Sequence, residues 1–168
     1  MSKRHVNIPV FIPHEGCPNA CVFCNQRSIS GTQRFSPESV DGIISEALST
    51  VGEDAECEIA FFGGSFTGID RSLMLYLLGV AQKYVDAGRV ESIRLSTRPD
   101  YINDEIIADL SRFSVRTVEL GLQSFSDSVL VASGRGHDAE CARVACRKLK
   151  VAGFTLIGQM MIGLPNSD

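Results

Sequence analysis

The sequence predicts an α/β fold: a partial (βα) barrel, truncated after its fifth strand. Apolar runs rich in β-branched and aromatic residues alternate with longer amphipathic stretches, the pattern of a parallel sheet with right-handed crossovers. The chain has 168 residues, whereas a closed eight-stranded barrel takes about 250. It also stops at Asp168, just past the fifth predicted strand and before any helix that would cover it. Residues 1–168 are therefore expected to form one core domain, incomplete at its C-terminus.

The elements follow in order. Val6 to Ile12 reads as the first strand. Ser36 is placed to cap the first helix, with Pro37 at its first position, and Val40, Ile43, Ile44, Ala47 and Leu48 share one face. Glu58 to Phe62 is a second strand, stopped by Gly63-Gly64; Asp70 opens a helix through about Val85, which Gly88 ends. Ser92 to Thr97 forms the third strand, and Asn103 or Asp104 starts a short helix through Leu110. Thr117 to Leu120 is the fourth strand. Asp127 to Ala132 makes a short helical turn, and Asp138 to Lys150 a longer helix closed by Gly153. Thr155 to Ile162 is the fifth strand, broken by Gly163-Leu164-Pro165.

Sixteen basic and twenty acidic residues give a net charge of −4 and a pI near 5.4. A chain-wide basic surface for nucleic acid is excluded, although a local basic groove is not. The charged fraction of 21% and mean hydropathy of +0.08 exclude a disordered chain. The longest apolar stretches, Ile8 to Pro13 and Leu73 to Val80, are far too short for a membrane span. No apolar segment follows Met1 to His5 as it would in a secretory signal, so the expected location is cytoplasmic, with no membrane partner.

Of six cysteines, Cys17, Cys21 and Cys24 lie within eight residues, while Cys57, Cys141 and Cys146 are scattered. In a reducing compartment such a cluster marks a metal or redox site more often than a disulfide. C-x3-C-x2-C sits directly after the first strand, at the sheet edge where barrel sites gather. Three thiolates leave one position of a soft metal centre open. Spacing alone leaves three alternatives: an iron–sulfur site, a zinc site completed by His14 or a distant residue, and unliganded thiols.

The cysteine motif, with Phe23 before its last member, resembles the radical S-adenosylmethionine enzymes. The resemblance continues through Phe61-Phe62-Gly63-Gly64-Ser65-Phe66, Ser96-Thr97-Arg98-Pro99-Asp100-Tyr101 and Glu119-Leu120-Gly121-Leu122-Gln123-Ser124. It extends to Gly134-Arg135-Gly136-His137 and Met160-Met161-Ile162-Gly163-Leu164-Pro165, so nearly the whole chain is covered. Ser-Thr-Arg-Pro-Asp-Tyr, Glu-Leu-Gly-Leu-Gln-Ser and Gly-Arg-Gly-His are most similar to the Elongator catalytic-subunit branch. The oxygen-independent coproporphyrinogen oxidase branch is more distant.

The resemblance implies a barrel of the radical SAM type. It implies a 4Fe-4S cluster held by Cys17, Cys21 and Cys24, and S-adenosylmethionine cleaved reductively to a 5′-deoxyadenosyl radical. By the same carry-over Phe23 lies near the cluster or adenine, and the backbone of Gly63 and Gly64 meets the methionine amino group. Ser96, Gln123, Arg135 and Gln159 bind the ribose or methionine portions, with Arg135 forking onto the carboxylate, and Met161 and Ile162 flank the adenine. Ser65 stands where many relatives carry an acidic residue. At Ser96 and Gln159 the porphyrin branch is acidic. The implied partners are S-adenosylmethionine, an electron donor such as flavodoxin or ferredoxin, and tRNA, for an RNA modification. Two other readings stay open: coproporphyrinogen III oxidase-like porphyrin oxidation, and a non-catalytic metal-binding or RNA-binding module.

Beyond the site, Glu119 is expected to face Arg98 or Arg116, because a buried carboxylate needs such a partner. His137 reads as a structural residue at a helix start, and His14 as the one candidate for an extra ligand. Cys57, Cys141 and Cys146 read as small core residues. Arg143, Arg147, Lys148 and Lys150 read as a solvated face. With the fifth strand uncovered, Leu156, Met160 and Ile162 are expected to stand exposed.

Overall fold

The structure, a computed structural model, describes residues 4–12, 17, 20–24, 35–52 and 54–167. His14 lies outside them.

Five strands form one sheet: β1 (Arg4–Ile12), β2 (Ala55–Gly63), β3 (Ser92–Thr97), β4 (Val115–Gln123) and β5 (Thr155–Met160), side by side in chain order. All four pairings are parallel. Strand order that advances without reversal is the winding of a barrel wall, here five strands of it. The connecting helices are α1 (Val40–Ser49), α2 (Arg71–Asp86), α3 (Asp104–Leu110), α4 (Asp127–Ala132) and α5 (Ala139–Val151).

Register sorts the two faces of the sheet. Ile8, Ile59 and Ile93 are aligned, as are Val10, Phe61, Leu95 and Val118, and all of them are buried. They pack in one core with Val40, Ile44 and Leu48 of α1, Met74, Leu77 and Leu78 of α2, and Ala142, Ala145 and Leu149 of α5. Phe61 stacks on Phe66 with ring centroids 4.6 Å apart. The opposite face carries polar residues: Asn7, Glu58 and Ser92 are in register, then Arg94 with Thr117, then Ser96 with Glu119. Apolar residues share that face, Pro9 aligned with Ala60 and Phe11 with Phe62.

The helix starts show why the alternation was readable. Asp70, Asn103 and Asp138 each accept a hydrogen bond from the backbone N–H three residues on, at 3.0, 2.8 and 2.7 Å. Ser36 does not cap. Its hydroxyl donates to Glu38 at 2.7 Å, and a 3-10 turn over Pro37–Ser39 precedes α1. The oxygen of that hydroxyl keeps its acceptor lone pairs, but no helix N–H donates to it.

The expected strand bounds also need correction. β1, β2 and β4 are longer than their β-branched cores because pairing with a neighbour carries flanking polar residues into the sheet. β5 ends at Met160, two residues short. Met160 and Ile162 are 55% and 101% exposed as expected, but Leu156 is half-buried because it packs against the core. Cys57 is a core residue, whereas Cys141 and Cys146 are only half-buried, at the rim of α5. On the same helix Arg143, Arg147 and Lys150 are exposed, while Lys148 bonds Asp104 at 2.7 Å. No helix among the described residues is long and apolar enough to cross a membrane.

Candidate functional site

The C-terminal ends of the five strands gather the motif residues at one edge. Beyond β1 the chain enters the cysteine segment, where Cys21 is buried and Cys17 and Cys24 are half-buried. A turn closed by Cys24 N–H on Cys21 O (3.0 Å) carries Phe23, which is half-buried. Val22 N–H donates to Ser133 O at 3.1 Å, docking this turn on the loop that bears Arg135.

Two buried guanidinium groups flank the sulfurs. Arg135 directs Nη1 to Cys21 Sγ at 3.8 Å and Nη2 to Gly121 O at 2.6 Å. Arg98 grips Asp100 with two bonds of 2.9 Å and donates to Arg135 O at 2.8 Å. Burial works against the Arg98 charge, but Asp100 and the nearby Cys17 thiol outweigh it and raise its pKa. Sulfur is the donor atom that soft metal centres take. The donor set therefore suits a soft metal centre. No group of three or more His, Cys, Asp or Glu side chains among the described residues is itself gathered in metal-holding geometry.

Gly63 has a local reason to be glycine. Its φ is 122°, and a Cβ there would lie 2.1 Å from the carbonyl oxygen of Ile12. The N–H of Gly64 is spent on that same carbonyl at 3.1 Å. Ser65 is committed as well: its hydroxyl meets Thr97 Oγ1 at 2.9 Å and accepts from Arg98 N–H at 3.2 Å. Thr67 adds a bond to Thr97 Oγ1 at 2.6 Å. This buried hydroxyl ladder ties the end of β2 to that of β3. Sequence reasoning missed it; the signal was Thr97 at the end of β3 and Thr67 in the 3-10 turn (Phe66–Gly68) that follows β2.

On the polar face, Ser96 Oγ is buried without a hydrogen-bond partner. Gly121 opens a cradle, since a Cβ there would stand 2.8 Å from Arg135 Nη2 and 3.0 Å from Gln123 Nε2. Gln123 is buried with φ 65°, a left-handed conformation that a non-glycine residue adopts at a cost of order 1 kcal/mol or more. Its carbonyl accepts from Met161 N–H at 3.0 Å. Met161 and Ile162 are 38% and 101% exposed. The fold thus brings Ser96, Gln123, Arg135 and the cysteine turn to one edge, and leaves Ile162 in solvent.

Glu119 does not pair with Arg98 or Arg116. Arg98 is taken by Asp100, and Arg116 lies on the surface near Glu56 and Glu91. Its partners are Arg94, in the next strand on the same face, and the Gln159 side-chain amide at 2.9 Å. His137 is buried, with neither ring nitrogen hydrogen-bonded. Burial foremost, then the Arg135 charge, pushes its pKa below the ordinary value of 6.5.

Residues 11–168 match the family model described as Radical SAM superfamily. An uncharacterized methyltransferase of Pyrococcus horikoshii is 27% identical over 157 residues, covering 94% of this chain and 33% of the relative. The tRNA uridine(34) acetyltransferase of Methanocaldococcus jannaschii is 25% identical over 199 residues, covering 96% of this chain and 37% of that protein. The archaeal Methanocaldococcus infernus Elp3 with an N-terminal deletion superposes with a TM-score of 0.72 at 20% identity, over 100% of this chain and 40% of its own. The chain spans about a third of the length of these curated relatives.

Proposed function

Because the chain belongs to the radical SAM superfamily, we propose that it binds a 4Fe-4S cluster through Cys17, Cys21 and Cys24 and S-adenosylmethionine beside it. Held by these residues and reduced by a donor such as flavodoxin or ferredoxin, a cluster would supply one electron to split S-adenosylmethionine into methionine and a 5′-deoxyadenosyl radical. The observation that carries the reading is the contact of Arg135 with both Cys21 Sγ and Gly121 O, which joins the thiol segment to the ends of β4 and α4.

In this reading the chain's own groups divide the work. Arg98 and Arg135 hold positive charge against the sulfurs and against a ligand carboxylate. Ser96, Gln123 and Gln159 offer hydrogen bonds from the polar face. Gly121, having no side chain, leaves the space in which the Arg135 guanidinium lies. Gly63 and Gly64 bring the end of β2 against β1 and keep that edge low. Phe23, Met161 and Ile162 supply apolar surface for an adenine. The relative named as a tRNA uridine(34) acetyltransferase supports tRNA as the substrate class to test first.

Anaerobic reconstitution tests the proposal. Iron content and broad absorption near 400 nm should be lost on replacing Cys17, Cys21 or Cys24 by Ala, and kept in Cys57→Ala, Cys141→Ala and Cys146→Ala. Loss of the cluster in Cys57→Ala would refute the ligand assignment. A colourless protein that retains zinc would replace it with the zinc reading.

A further inference from the structure

Among the described residues Arg98 is the most deeply buried charged one, at 2% exposure. Its contacts pin the guanidinium from three sides. Nε and Nη2 each donate to Asp100 at 2.9 Å, and Nη2 also donates to Arg135 O at 2.8 Å. The group stands 5.9 Å from the centre of the Tyr101 ring. Nη1 is the exception: it is buried and has no hydrogen-bond partner. A buried donor left unpaired carries the full cost of its desolvation. The thiol of Cys17 lies beside this guanidinium.

The Arg98–Asp100 pair is also lopsided toward solvent. The Asp100 side chain is 27% exposed against 3% for Arg98, and it lines a cavity with His137 and Cys141. Water screens the carboxylate, while the guanidinium is surrounded by protein. Asp100 therefore offsets only part of the Arg98 charge, and the remainder is left inside, on the thiol side of the fold.

We infer that Arg98 gives its unpaired Nη1 to the sulfur of Cys17 when that sulfur ligates the cluster, and that Asp100 sets how much of the Arg98 charge is felt there, so that the two residues tune the reduction potential. The inference rests on the functional reading above. An N–H donor and a positive charge at a ligand sulfur favour the reduced, more negative state and raise the potential; a carboxylate behind them lowers it again. Asp100 acts only through Arg98 and is a positioning residue.

A redox titration of the reconstituted protein, followed by electron paramagnetic resonance of the reduced cluster, tests this. Arg98→Gln and Asp100→Asn break the same ion pair, so a merely structural pair predicts shifts of one sign or no shift. The electrostatic role predicts opposite signs. Asp100→Asn leaves the guanidinium unopposed and should raise the potential, whereas Arg98→Gln removes donor and charge and should lower it. Each should change the reduction equilibrium about tenfold, which is about 59 mV for one electron. Asp100→Glu restores the carboxylate and should bring that equilibrium to within about threefold of wild type. Shifts of the same sign, an unchanged Asp100→Asn, or an Asp100→Glu no closer to wild type than Asp100→Asn overturns the inference. Should Arg98→Gln fail to fold or to take up iron, Asp100→Asn decides alone: a raised potential supports the tuning, and an unchanged or lowered one overturns it. A wild-type protein that takes up no iron–sulfur cluster would overturn the functional reading, and the inference with it.

Discussion

The guanidinium of Arg135 lies across Gly121: Nη2 donates to the Gly121 carbonyl at 2.6 Å and occupies the position a side chain at 121 would need. The other end of the same group reaches Cys21 Sγ at 3.8 Å. One absent Cβ on β4 thus decides where a charge stands beside the thiols.

Gly121→Ala is the smallest test of that arrangement. The methyl group would meet Nη2 at 2.8 Å, and the tip of the arginine is what gives way. The fold should survive, with a stability loss of about 1 kcal/mol from the disturbed buried bond. Binding of S-adenosylmethionine should weaken about tenfold or more as the charge is displaced. Equal affinity in calorimetry would remove Arg135 from the ligand site.

Gly63 and Gly79 form a contrasting pair. At Gly63 a methyl group would strike the Ile12 backbone at 2.1 Å with φ already at 122°, so Gly63→Ala should cost more than about 3 kcal/mol or prevent folding. Gly79, inside α2, has nothing within 4 Å of its Cβ position. Gly79→Ala should stabilise by about 0.5–1 kcal/mol through helix propensity. Denaturant melts that rank the two alike would contradict the geometry.

His137 predicts a pH dependence of stability. Its folded-state pKa lies below the unfolded value near 6.5, so below that pH the unfolded chain binds a proton that the folded chain resists. Stability should fall as pH drops from about 6.5 toward the lower folded pKa, by at most about 1.4 kcal/mol per pH unit, and this contribution should vanish above 7. His137→Phe keeps an aromatic in the site without the titration. If its melting temperature shows the same slope between pH 6.5 and 5 as wild type, the dependence belongs to other groups.

What was legible in the residues, and what was not, divides along range. Short-range chemistry marked out the alternating strands and helices: Asp70, Asn103 and Asp138 cap because their side chains reach a backbone N–H three residues on. The cysteine motif, Gly63 and the motif at each strand end were visible for the same reason, since each is a local pattern set at a sheet edge by the alternation itself. Ser36 does not cap: its hydroxyl donates to Glu38, and a 3-10 turn stands between it and α1. Partners distant in sequence could not be read. Glu119 was expected at Arg98 or Arg116 and found Arg94, because a bulge between β3 and β4 sets which side chains share a face. The Ser65–Thr97–Thr67 ladder, the Gly121 cradle for Arg135 and the Glu119–Gln159 bond likewise join separate strands or loops. Sequence alone determined which residues carry strand, helix and thiol chemistry, because those are properties of neighbours along the chain. Only the tertiary structure decided which charges meet, because register and a missing Cβ, not composition, set the distance between a guanidinium and its partner.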